Sequence, residues 1–139
     1  MGRINAGRVI MGGLLAGLVM NLGEFILNGV VLKAQWETAM HAINRTPAGG
    51  SAIAVLVIDG FISGLLAIWL YAAVRPRLGS GPKTAVLVGL IVWIFSCFMA
   101  LMPPFLTGIL PGQIVATMVI WDLIEIPLGV VIGAWAYKE

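Results

Sequence analysis

Six acidic residues occur in this chain of 139, and four of them, Glu24, Asp59, Asp122 and Glu125, sit inside long apolar stretches. A charged side chain at the centre of a membrane helix costs about 2.5–3.5 kcal/mol on insertion scales. No Lys, Arg or His shares those stretches to offset that cost. Carboxyl groups crowded in a low-dielectric medium resolve the conflict by holding one or more protons or a cation. The chemistry these residues offer is therefore binding and exchange of a proton or cation. Asn21 and Asn28 are the expected amide partners, and Ser63, Ser96 and Thr117 could add hydroxyls. A blander reading of the same residues is that the acids stay protonated, bond to Asn21, Asn28 and nearby backbone, and only fix helix register.

Spacing favours a shared site. At about 1.5 Å per residue, Glu24, Asp59 and Asp122 lie roughly two to four residues to one side of the middles of their stretches, with Glu125 almost at the middle. All four are expected in one layer roughly 10 Å thick. Gly13, Gly17, Asn21, Glu24 and Asn28 recur at intervals of four, four, three and four, which is one stripe of a helix. Asp122, Glu125 and Gly129 likewise share a face, and Pro127 cannot donate to the Leu123 carbonyl, leaving that oxygen as a further candidate cation ligand. Whether a metal is held stays open: carboxylates suit hard cations and di-metal centres, but the Glu-x-x-His pattern of metal-binding bundles is absent. The sole histidine, His41, falls outside the apolar stretches and reads as a surface residue. The sole cysteine, Cys97, reads as a small core residue, so no intramolecular disulfide can form.

The elements that must position these groups are membrane helices. Soluble domains are about 45–50% apolar and about 25% charged, whereas this chain is 60% hydrophobic and 10% charged, with a mean hydropathy of +1.05. Its apolar stretches, residues 9–32, 51–74, 84–106 and 112–137, each reach the roughly 20 residues that crossing a bilayer requires. The expected fold is an all-α bundle of four transmembrane helices in a single domain, 1–139. The first stretch is too long and too polar for a cleaved signal peptide and is read as retained. Pro103-Pro104 is expected to end the third helix.

Basic residues orient the bundle. Arg3, Arg8, Arg75, Arg77, Lys83 and Lys138 gather on one side, against Lys33 and Arg45 on the other. Both termini and the link from Arg75 to Lys83 are thus expected in the cytoplasm, and the net charge of +2 calls for no nucleic-acid partner. In the first outer loop Trp36, Met40 and Ile43 recur at helical spacing, which predicts a short interfacial helix ending before Pro47. Trp69, Tyr71, Trp135 and Tyr137 fall near the cytoplasmic ends and are expected to anchor at the interface, whereas Trp93 and Trp121 lie deeper, either filling the core or lining a cavity. Glycine pairs spaced by four, Gly13/Gly17, Gly60/Gly64 and Gly129/Gly133, with the weaker Ala85/Gly89, give every helix a stripe of small residues for packing within the bundle or against a partner subunit. The second and fourth stretches also align with a shift of 63 residues, Asp59 falling on Asp122, either as a parallel hairpin repeat or by coincidence.

Along its whole length, with "GEFILNG" early and "GAWAYKE" at the end, the chain resembles small four-helix integral membrane proteins of bacteria, a resemblance that implies location in the inner (plasma) membrane but no activity. In size, helix number and the first-helix Glu24 it is also similar to the small multidrug-resistance transporters. It departs from their single membrane glutamate by three further acids. No Gly-rich phosphate loop, nucleophile elbow or H-E-x-x-H zinc helix appears, so an enzyme has no positive support, and no cofactor is indicated. Two functions follow as expectations: proton- or cation-coupled transport through the carboxylate cluster, or a structural or assembly subunit, as a homo-oligomer or within a larger membrane complex, held by its small-residue stripes.

Overall fold

The computed structural model describes residues 4–137, and all of its regular elements are helical. Helix α1 (Ala6–Ile26) opens on Asn5, whose side-chain oxygen accepts the Arg8 N–H at 3.2 Å, and runs into a π-helical turn over Leu27–Val31. Helix α2 (Lys33–Ala42) follows at once, and α3 (Gly50–Leu78) crosses back. The third crossing is composite: α4 (Pro82–Trp93), a π-helical turn over Ile94–Phe98, and α5 (Met99–Leu106). Helix α6 (Gly112–Ala136) completes the bundle. Four helical segments are long and apolar enough to cross a membrane: Ala6–Val31, Gly50–Leu78, Pro82–Leu106 and Gly112–Ala136.

Two helices outrun their prolines. A proline holds φ close to the helical value, and the lost N–H bond and the crowding of the carbonyl four residues back can be absorbed as a kink rather than an end; α3 continues through Pro76 to Leu78, and α5 continues through Pro103 and Pro104 to Leu106 instead of stopping there. What ends α3 is Gly79, at φ 85°, a conformation costly for any residue with a Cβ. Gly81 at φ 126° and Pro82 at the first position of α4 then turn the chain within four residues.

In space α1 lies between α3 and α6, and α6 lies between α1 and α4; α3 and α4 touch over a shorter length. Close approach comes from the small residues. A Cβ at Gly64 would collide with the backbone of Gly13 and Gly17 across the α1–α3 contact, and one at Gly133 would meet the Gly12 carbonyl oxygen across the α1–α6 contact. A Cβ at Gly89 would strike the Pro127 backbone between α4 and α6. All the small-residue stripes noted in the sequence are thus turned toward other helices of this same chain.

One end of the bundle gathers all four crossings. The Tyr137 hydroxyl accepts the Asn5 N–H at 3.4 Å, the Tyr71 hydroxyl accepts the Gly81 N–H at 3.0 Å, and the two tyrosine rings meet edge to face with centroids 6.1 Å apart. The Arg75 guanidinium sits 5.7 Å above the Tyr137 ring. Both tyrosines are buried, which corrects their expected role as surface anchors: a phenol that bonds to a neighbouring helix start is held in the core by that bond. Trp69 and Trp135 do face outward.

The core falls into two clusters. The larger runs through the end of the bundle that carries the tyrosines and includes Met20, Ile68, Val88 and Val130. The smaller, built on Leu27, Leu32 and Ile114 with Trp36, Met118 and Trp121 packed against it, lies at the α2 end.

Candidate carboxyl site

Between these two clusters three of the four acids converge. Glu24 comes from the last turns of α1, one step before its π-helical turn, and Asp122 and Glu125 come from one face of α6. The Glu24 and Asp122 carboxyl groups lie within side-chain hydrogen-bonding reach of each other, and Asp122 also reaches the buried Cys97 thiol, which the second π-helical turn carries into the site. Such turns recur at functional sites because they re-aim side chains within an otherwise regular helix. A hydrogen bond between two carboxyl oxygens needs a proton on one of them.

Donors surround the cluster on its α2 side. Asn28 Nδ2 donates to Glu24 Oε2 at 2.6 Å, and Trp36 Nε1, from α2, donates to Asn28 Oδ1 at 2.9 Å, so a short relay connects α2 to the acids. Trp121 Nε1 donates to Glu125 Oε2. Glu125 is packed so closely on α1 that a Cβ at Gly23 would overlap its carboxyl group. Asp122 and Glu125 are 4% and 7% exposed, yet Asp122 Oδ1 and Glu125 Oε1 have no hydrogen-bond partner. Buried polar oxygens without partners carry a cost of about 1–3 kcal/mol each, so they are places where the site can take up a proton.

The layer expected from depth alone is corrected in two places. Asp59 does not join the cluster: it lies exposed on α3, on a stretch whose residues 50–59 all face away from the bundle. Its apparent alignment with Asp122 therefore joins an exposed group to a buried one. Asn21 does not join either; its amide donates to the Val57 carbonyl at 3.1 Å and presses on Gly60. Three residues along α1 turn a side chain by about 60°, enough for Asn21 to face α3 while Glu24 faces α6. Ser96 and Thr117 bond back to the Val92 and Gln113 carbonyls of their own helices, at 2.8 Å each. Asn28 is the sequence-selected neighbour that reaches an acid.

Cys97, Trp36 and Trp121 belong to the site although sequence reasoning gave them other roles. The interval of four from Trp121 to Glu125 was a visible signal, whereas Trp36 arrives only because the chain bends after Leu32. Trp93 serves packing, donating to the Val119 carbonyl at 3.1 Å. His41 is exposed and away from the acids. Among the described residues no group of three or more His, Cys, Asp or Glu side chains is arranged to hold a metal ion. No protein-family model, curated protein or solved structure matches the chain.

Proposed function

We propose that the chain is an integral protein of the bacterial plasma membrane, with both termini cytoplasmic and α2 at the outer surface, in which Glu24, Asp122 and Glu125 take up a proton that is exchanged across the bilayer. The observation that carries this reading is the pair of buried, unpartnered oxygens, Asp122 Oδ1 and Glu125 Oε1, beside a carboxyl–carboxyl contact. A proton fits better than a metal ion, since a proton needs two oxygens and a metal needs a convergent ligand set that these side chains do not form.

The two hydrophobic clusters supply the rest of such a mechanism. Each would seal the acids from one side, and the thinner seal is the one α2 completes through Trp36. Exchange with the outside would follow when α2 lifts and breaks the Trp36–Asn28–Glu24 relay. Purified protein in liposomes is expected to carry a proton flux that Glu24→Gln and Glu125→Gln each reduce at least tenfold, because glutamine keeps the shape and removes the exchangeable proton. Flux at the wild-type level in both variants would overturn the reading.

A further inference from the structure

Helix α3 leaves the bundle bare at its α2 end. Every residue from 50 to 59 is exposed, and Ile53, Val55, Leu56 and Ile58 show half or more of their surface. Lipid covers such side chains without cost, but it cannot solvate the carboxyl group of Asp59, which is exposed among them. A hydrocarbon layer of about 30 Å centred on α3 places Asp59 roughly 7 Å inside it. An aspartate is too short to reach water as the long stems of Lys and Arg do.

The face on which Asp59 sits continues into a groove. Asp59, Ser63, Leu66 and Leu70 follow at intervals of four, three and four, one stripe of α3. Ser63, Leu66 and Leu70 line a hollow of about 300 Å³ whose far wall is Ile91, Val92 and Phe95. Here α3 and the third crossing do not fill the space between them. A second copy of this chain is a poor occupant, since its crossing helices carry no basic group at this depth and its small-residue stripes are already used internally. Charge complementarity selects a different occupant. We infer that the Asp59–Ser63–Leu66–Leu70 stripe and its groove form a docking face for one transmembrane helix of another protein, bearing a Lys or Arg at the depth of Asp59. Asp59 supplies the counter-charge and the groove supplies the contact that lipid-facing helices otherwise lack.

This face is separate from Glu24, Asp122 and Glu125, so the inference stands or falls independently of proton exchange. The test uses donor-labelled protein in zwitterionic vesicles and two acceptor-labelled synthetic Leu/Ala helices of spanning length, one with a single Lys in its outer third and one with Leu there. The Lys helix is expected to associate roughly tenfold more tightly than the Leu helix, and Asp59→Asn, which keeps the side-chain shape, is expected to abolish the difference. Ser63→Phe, which fills the groove, should weaken both. Equal association of the two helices with wild-type protein would overturn the inference. So would energy transfer between protein copies that Asp59→Asn removes and the Lys helix fails to compete, since the occupant would then be a second copy.

Discussion

The oxygens of Glu125 are treated unequally: Oε2 accepts the Trp121 indole N–H, and Oε1 is buried with no partner. Trp121→Phe keeps an aromatic side chain but removes the indole N–H and some volume, leaving both oxygens unsatisfied, so it should lower stability by about 1–3 kcal/mol, read by unfolding in a denaturing-detergent titration. In a Glu125→Leu background the same substitution should cost much less, and an undiminished loss there would assign Trp121 to packing alone. At this scale the sequence was legible where a helix interval of three or four connected two groups, as for Glu24 with Asn28 and Asp122 with Glu125. It was not legible where a partner came from another segment. Cys97 and Trp36 enter through the two π-helical turns and the bend at Leu32, and neither leaves a periodic trace.

Helix placement decided which expectations held. Depth along a helix put Asp59 level with Glu24, but which neighbour a face meets is set by packing, and the face of α3 that carries Asp59 is turned outward. The glycine stripes were legible as close-approach surfaces, whereas their assignment to contacts inside the chain needed the fold. Gly64→Val tests one of the tightest of these. Its side chain would have to displace the Gly13 and Gly17 backbone, at a cost of about 1–3 kcal/mol or more, and the variant should unfold at lower detergent fraction than wild type. The α1–α6 contact should suffer less, so the environment of Trp121, followed by its fluorescence, should change later in the titration than that of Trp69. Helix α2 was legible from Trp36, Met40 and Ile43, but Trp36 turns inward onto Asn28 while Ile43 stays exposed, because the indole N–H finds a polar partner only on the bundle side.

For the molecule as a whole, hydropathy alone disclosed four apolar helices, and the charge bias adds an orientation that labelling can check. In a Cys97→Ala background, Ser80→Cys in the α3–α4 link should react with an impermeant thiol reagent only from the cytoplasmic side, and Thr38→Cys on α2 only from the outside; the reverse pattern would invert the topology. Asn5, Tyr71, Gly81 and Tyr137 add something hydropathy cannot show, since they lace all four crossings together at one end, whereas at the other the Trp36–Asn28–Glu24 relay joins only α2 and the first crossing. A bundle fastened at one rim is expected to loosen first at the other, so amide hydrogen exchange should be faster around α2 than around Tyr71 and Tyr137.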